Sequence, residues 1–209
     1  MRHFFSLIVI LVFVATLFAD NYKILQMNTL SVRIGNREYK KDDVFSDDSI
    51  IVWTKKKQAF KAQNTKTKEI HLFTEADFKL RNSKTIREYF IKTNHLSVRA
   101  TGLSLSDLSE VLNSSVFSLL DTLTFESPIP LDSTRYYYVC YKLDNNVIKK
   151  RLPSMDGRFV IVRSTLELIK PDSNGVVEFS IYFRSEDVAE DYLLSDSMRV
   201  ILLPLEIAD

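Results

Sequence analysis

The residues best suited to nucleophilic catalysis are one cysteine and two histidines that precede it in the chain. A cysteine attacks as the thiolate and needs a base to take its proton, so Cys140 with His71 or His95 is the arrangement to consider. Cys140, however, lies inside the aromatic run YYYVCYK, with no glycine-bearing turn to present its sulfur. This context favours a structural thiol on a strand and leaves a cysteine-dependent hydrolase as an alternative.

Metal and cofactor chemistry have little support in the sequence. Strand alternation would place Glu69 and His71 on one face, but two ligands do not complete a zinc site. The acidic pairs lack the ligand spacing and central glycine of a calcium loop. With 4 glycines in 209 residues, there is little room for a phosphate-cradling loop. We therefore expect a protein with no metal, no cofactor and no catalytic residues.

A basic stretch with interleaved aromatic residues is the best candidate for a binding site. WTKKKQAFKAQNTKTK carries several lysines and no acidic residue, a pattern typical of surfaces that bind anionic polymers. The alternative is a solvated hairpin edge, where lysines prevent edge-to-edge strand pairing. The predicted contact residues are Trp53, Lys55, Lys56, Lys57, Phe60 and Lys61.

Four tyrosines cluster in the run RYYYVCYK. Strand alternation predicts that Tyr137, Val139 and Tyr141 fill the core while the intervening residues Tyr136, Tyr138 and Cys140 point the other way. If the second face is exposed, it is a tyrosine-rich binding patch. If it is covered, it is a packing interface.

The first residues predict export. A basic start, an apolar run and a small residue before Asp20 are typical of a signal peptide spanning residues 1–19, with an uncleaved membrane anchor as the alternative. Cleavage after Ala19 removes Arg2, so 28 basic residues become 27 and equal the 27 acidic ones. A mature chain with no net charge offers no general attraction for nucleic acid, which we do not expect as a partner.

The positions of strand and turn signals predict a mostly β protein in two domains. Residues 20–75 hold short strands, with Gly35-Asn36 as a hairpin turn, and predict a small barrel or sandwich. Residues 76–115 read as a partly helical connector that includes a short strand over 96–101. Residues 116–209 predict an antiparallel Ig-like β-sandwich in which 185–196 form one or two helical turns.

Three stretches behind the N-terminal apolar segment cover much of the chain. They are KILQMNTLSVRIGNREYKKDDVFSDDSIIVW, QAFKAQNTKTKEIHLF and SLLDTLTFESPIPLDSTRYYYVCYK. In these stretches the chain resembles a group of exported hypothetical proteins from Bacteroides-type bacteria. The resemblance implies a location in the periplasm or on the outer surface. It also implies an accessory role beside caspase-like peptidases encoded nearby, and it supplies no catalytic residues.

These observations lead to one expected function and one main alternative. We expect an exported, non-enzymatic protein of the cell envelope that binds another envelope protein as an accessory or scaffold. The alternative is a binder of an anionic glycan or cell-surface polysaccharide through the lysine-rich hairpin around Lys55–Lys57.

Overall fold

The computed structural model describes residues 19–93 and 104–207. The chain divides into two compact units, the first formed by the described residues up to 93 together with 205–207, and the second by residues 104–204. The predicted signal segment 1–19 falls outside the described residues except for Ala19, and so does the predicted strand 96–101. Within the described ranges, no helix combines the length and apolarity needed to cross a bilayer.

The first unit contains two antiparallel sheets and two helices. Its elements are β1 (Asn21–Met27), β2 (Val32–Ile34), β3 (Arg37–Tyr39), β4 (Val44–Ser46), β5 (Ile51–Val52), β6 (Ala59–Asn64), β7 (Ile70–Thr74), α1 (Glu75–Leu80) and α2 (Ile86–Thr93). One sheet has the order β4-β1-β6-β7 and the other the order β3-β2-β5. Neither sheet closes into a barrel, so the barrel alternative for this unit was wrong.

The predicted hairpin at Gly35-Asn36 is present. Ile34 on β2 pairs with Arg37 on β3, which leaves the two intervening residues to form the turn. Gly35 has φ +59°, in the left-handed region that glycine enters without a Cβ penalty.

Aromatic side chains form the core of the first unit. The ring of Phe73, on β7, lies 5.3 Å from that of Phe60 and 6.1 Å from that of Phe78, and all three residues are buried. Strand β6 lies between β1 and β7 in its sheet, and residues 59–62 on it are buried without alternation. Side chains on both faces of this interior strand are therefore covered.

The second unit contains a five-stranded and a three-stranded sheet. Its elements are α3 (Leu105–Ser114), β8 (Val116–Leu119), β9 (Thr122–Glu126), β10 (Arg135–Leu143), β11 (Asn146–Arg151), β12 (Ser154–Met155), β13 (Arg158–Val162), α4 (Arg163–Leu166), β14 (Val176–Ser185) and β15 (Tyr192–Leu202). The sheet orders are β11-β10-β14-β15-β8 and β12-β13-β9. All pairings are antiparallel except that of β15 with β8, which is parallel.

The two sheets of the second unit share one hydrophobic core. Tyr137 of β10 stacks on Phe159 of β13 with ring centroids 4.1 Å apart. Helix α3 contributes Leu108 and Leu112 to the same cluster. The predictions of a mostly β protein and of a C-terminal β-sandwich are thus confirmed, with the parallel β8–β15 pair as an addition to the antiparallel pattern.

Two stretches differ from the sequence-based expectation. Residues 185–196 do not form helical turns: Val188 donates to the carbonyl of Ser185 (3.2 Å) in a tight turn, and β15 begins at Tyr192. Cross-strand pairing of Leu193 with Tyr182 on β14 outweighs the local helical preference. In the region expected as a connector, Phe78 and Ile86 pack in the first unit's core, whereas α3 packs in the second's.

The last described residues return to the first unit. The amide of Ile207 donates to the carbonyl of Asn28 (2.8 Å), just after β1. Asn28 is itself buried, and its side chain accepts from the amide of Ala59 (2.8 Å) at the start of β6. Residues that precede the second unit in the sequence and residues that follow it thus both belong to the first unit.

We predict that Phe73→Ala lowers the free energy of unfolding of the first unit by about 3–5 kcal/mol, because it leaves a cavity among fully buried rings. Urea unfolding followed by fluorescence of Trp53, the only tryptophan, measures this directly. Leu80→Ala is the control, since Leu80 is 84% exposed and its loss should change stability by less than about 0.5 kcal/mol. Equal effects of the two substitutions would contradict the described core.

Candidate functional site

The lysines predicted as contact residues occupy the turn between β5 and β6. The amide of Gln58 donates to the carbonyl of Lys55 (3.4 Å) and closes this turn. Lys56 and Lys57 are exposed and Lys55 is half-buried. The backbone of Lys57 has φ +59°, and its carbonyl accepts from the Asn28 side chain (2.9 Å). The turn is therefore held by its backbone while two ammonium groups face solvent.

The other predicted contact residues do not join these lysines at the surface. Phe60 is fully buried and Lys61 is 9% exposed, although the two are consecutive on β6 and therefore point to opposite faces of its sheet. Trp53 is half-buried, 5.7 Å from the ring of Phe60 and 5.2 Å from that of Phe78. Its indole Nε1 is buried and has no hydrogen-bond partner within the described residues. The aromatic residues of the motif thus support the core, and the exposed residues among those predicted are Lys56 and Lys57.

A polar pocket lies beside Lys55. Its volume is about 470 Å³. Its lining comprises Thr29, Leu30, Ser31, Glu38, Lys40, Thr54 and Lys55. The hydroxyl of Ser31 donates to Glu38 (3.1 Å), so charges of both signs and several hydroxyl groups face one cavity.

The second unit carries a different surface on the outer side of its five-stranded sheet. Tyr137, Val139 and Tyr141 of β10 belong to the core, which confirms the predicted alternation along this strand. Tyr136, Tyr138 and Cys140 consequently face away from that core.

Neighbouring strands extend this surface in register. Tyr138 pairs with Arg151 on β11 and with Tyr182 on β14, and Tyr136 pairs with Arg184. Residues directly opposite each other on antiparallel strands project to the same side. We call the resulting surface the tyrosine face, defined by Tyr136, Tyr138, Cys140, Lys149, Arg151, Tyr182 and Arg184.

Aromatic and cationic groups contact one another across the tyrosine face. The rings of Tyr138 and Tyr182 stack with centroids 5.2 Å apart and planes 7° from parallel. The Nζ of Lys149 lies 5.2 Å from the Tyr138 centroid, and the guanidinium carbon of Arg151 lies 4.1 Å from that of Tyr136. Such cation–π contacts restrain long side chains that would otherwise be mobile.

A carboxylate fixes the centre of this surface. The Tyr138 hydroxyl donates to Asp191 (2.6 Å), and the Arg184 guanidinium donates to the second oxygen of the same carboxylate (2.8 Å). These two donors lower the pKa of Asp191. Burial raises the pKa of Tyr138, and the hydrogen bond to Asp191 raises that pKa further. Tyr138 therefore stays a neutral donor while Asp191 stays ionised.

The tyrosine face has a positive excess. Lys149, Arg151 and Arg184 lie on it, and Asp191 compensates Arg184 in an ion pair. Lys149 and Arg151 thus leave a net positive charge next to the half-exposed rings of Tyr136 and Tyr182. This combination suits a partner that offers carboxylates and flat apolar surface.

Sequence reasoning identified only the β10 part of the tyrosine face. Tyr182 and Arg184 lie more than forty residues further along the chain, and only the β10–β14 register brings them to Tyr138 and Tyr136. The alternation in VVEFSIYFRS could have indicated which residues of β14 face outward. It places Phe179, Ile181 and Phe183 in the core and the intervening residues on the opposite side.

Cys140 and His71, two of the residues considered for catalysis, belong to different units. Cys140 pairs with Ser180 and Lys149 on the neighbouring strands, and His95 falls outside the described residues. His71 belongs to the first unit, where burial lowers its pKa and its ring lies 4.8 Å from that of Phe90. Across residues 19–93 and 104–207, no three or more His, Cys, Asp or Glu side chains are grouped to hold a metal ion.

Comparison with known proteins gives no family assignment. The chain matches no protein-family model, no curated protein and no solved structure. A function for it is therefore inferred from its own surfaces.

We predict that Tyr138→Phe lowers the free energy of unfolding of the second unit by about 1 kcal/mol, because Asp191 loses a hydrogen-bond donor. Urea unfolding followed by circular dichroism checks this, since the only tryptophan lies in the first unit. Tyr182→Phe is the matched control: it keeps the stacked ring and removes a hydroxyl that has no hydrogen bond in the described part of the chain. An equal loss in both variants would contradict a specific role for the Tyr138–Asp191 bond.

Acid should remove the stabilisation that Asp191 provides. Because the folded-state pKa of Asp191 is lowered, this stabilisation is present above the ordinary aspartate pKa of about 3.9 and is lost as pH falls through the folded-state value. We predict that Asp191→Asn destabilises the protein at neutral pH and that the difference from wild type shrinks below about pH 4. Thermal unfolding across this pH range, with exposed Asp196→Asn as the control, tests it. A pH-independent difference between wild type and Asp191→Asn would disprove the linkage.

Proposed function

We propose that this chain is an exported, non-enzymatic binding protein of the cell envelope that recognises another protein through the tyrosine face. The observation that carries the proposal is the pair of half-exposed rings Tyr136 and Tyr182 beside the exposed Lys149 and Arg151. Tyr138, which is only 5% exposed, supports this surface from below by stacking on Tyr182 and by its contact with Lys149. Tyrosine and arginine are the side chains over-represented in the cores and energetic centres of protein interfaces.

Restraint of these side chains favours binding. A long side chain that is ordered only on association loses conformational entropy, which weakens the complex. Here Tyr138 is held by Asp191, Arg151 by donation to the carbonyl of Asp132 (2.7 Å), and Arg184 by its ion pair. The tyrosine face is thus ordered before a partner arrives.

The charge of the face defines the kind of partner. The excess of positive charge from Lys149 and Arg151 attracts a surface rich in aspartate and glutamate, and Tyr136 and Tyr182 offer rings to apolar side chains.

The partner is proposed to be another envelope protein. The N-terminal segment 1–19 supports export, and the resemblance to exported proteins of Bacteroides-type bacteria makes a caspase-like peptidase encoded nearby the first candidate. A tagged pull-down from the native envelope, read by mass spectrometry, tests this. One stoichiometric partner is the expected result, and recovery of nothing above background would count against the proposal.

Substitutions on the tyrosine face should separate specific from general binding. We predict that Tyr182→Ala and Lys149→Glu each weaken the complex by about tenfold or more, since central tyrosines and complementary charges dominate such interfaces. Lys170→Glu makes the same charge change at an exposed residue away from the face and should leave affinity unchanged. Dissociation constants from surface plasmon resonance at two salt concentrations supply the comparison.

Cys140 offers an independent readout on the unmodified protein. It is the only cysteine and is half-buried on the tyrosine face, so bound partner should slow its alkylation. A complex in which Cys140 reacts at the free-protein rate, and in which Tyr182→Ala and Lys170→Glu bind alike, would place the interface elsewhere.

Binding of an anionic polysaccharide through the lysine turn is the second candidate. It is favoured by the exposed Lys56 and Lys57 and by the hydroxyl-lined pocket beside Lys55. Salt-sensitive retention on an acidic polysaccharide that is lost in Lys56→Ala with Lys57→Ala, and kept in Lys170→Ala, would favour this function over the tyrosine face. Retention that is unchanged in the lysine-turn variant would dismiss it.

A further inference from the structure

The second unit contains a concave pocket that the proposed protein-binding function does not use. Its volume is about 530 Å³, within the range of roughly 300–1,000 Å³ typical of small-molecule sites. Apolar walls come from several elements. They are Leu105 at the start of α3, Ile129 in the loop after β9, Phe183 on β14, Val188 in the following turn, and Tyr192 at the start of β15.

The lining of the same pocket carries more negative than positive charge. One guanidinium, that of Arg135, faces three carboxylates, those of Asp187, Glu190 and Asp191, which gives the lining a formal charge of −2. Arg135 donates through Nε to Asp132 (3.0 Å), and Asp191 accepts hydrogen bonds from Tyr138 and Arg184.

Two exposed carboxylates at the pocket, those of Asp187 and Glu190, form no ion pair within the described ranges. Asp187 accepts from the Ser185 hydroxyl (3.5 Å) and interacts with the charge of Arg135. Asp187 and Glu190 stand on either side of Val188, whose side chain is 56% exposed. An apolar surface is thus bordered by an excess of negative charge, which Arg135 offsets only in part.

We propose that this pocket binds a small organic ammonium ion with an apolar body. The hydrocarbon part would be removed from water against Phe183, Val188 and Tyr192, which is the main favourable contribution to such binding. The ammonium group would lie beside Asp187 and Glu190 at the edge of the pocket, where it remains partly hydrated. A carboxylate with the same body would meet negative potential there and be excluded.

The pocket and the tyrosine face have opposite ligand preferences. The face has a positive excess and suits an acidic partner, whereas the pocket has a negative excess and suits a cation. Binding of the ammonium ion therefore does not depend on the proposed protein partner, and either proposal can fail without the other.

Three ligands that share one body and differ in charge test the proposal. Phenylpropylamine, phenylpropanol and phenylpropanoate are titrated into the purified full chain at neutral pH by calorimetry, and amide resonances are followed by NMR. We expect the amine to bind best, the alcohol more weakly and the carboxylate not measurably. Resonances of residues 185–192 and of Leu105 should shift with the amine.

Variants then assign the contribution of each part of the pocket. Asp187→Asn combined with Glu190→Gln should weaken amine binding about tenfold and reduce its preference over the alcohol. Glu186→Gln is the control, because Glu186 is exposed and adjacent in sequence but does not line the pocket. Val188→Ser should weaken the amine and the alcohol alike. All four residues are exposed, so folding is expected to persist and is verified by circular dichroism.

Several results would overturn the proposal. Carboxylate binding as tight as amine binding, equal effects of Glu186→Gln and the double variant, or no amine binding at millimolar concentration would each do so. Shifts confined to residues outside the pocket lining would do so as well.

Discussion

The pairing of β10 with β14 is the constraint on which both surfaces of the second unit depend. Opposite Tyr137 lies Phe183, and opposite Tyr138 lies Tyr182, so one register fills the core with the first pair and builds the tyrosine face with the second. A shift by one residue would exchange the two faces of the strand. Stacking of Tyr137 on Phe159 opposes that shift, because it ties β10 to the other sheet of the sandwich.

Asp191 links two surfaces of opposite charge. One of its oxygens accepts from Tyr138 on the tyrosine face, the other accepts from Arg184, and its side chain also lines the apolar pocket. Without this carboxylate, a buried phenol and a guanidinium would lose their acceptor together, at a cost greater than that of an exposed ion pair. The turn over 185–191 is thereby held against the end of the sheet, which gives the pocket its wall.

The features that the sequence predicted correctly are those whose geometry depends on a few neighbouring residues. The hairpin at Gly35-Asn36 and the alternation along β10 follow from backbone geometry within a few residues. The burial of both Phe60 and Lys61 was not predictable, because it depends on what covers each face of the sheet, which local alternation does not reveal. Likewise, Tyr182, Arg184 and Asp191 join Tyr138 only through long-range pairing, and residues 185–196 were assigned by a propensity that sheet pairing overrides.

Two contacts in this protein join residues that are far apart in the sequence. Strand β8 pairs in parallel with β15, about eighty residues later, and the amide of Ile207 donates to the carbonyl of Asn28 beside β1. Such contacts form slowly, because the entropy of closing the long intervening loop is lost before the contact can stabilise the chain. Hairpins such as β2–β3 close only a few residues, so they can form early, whereas the β8–β15 pair joins the sheet late in folding.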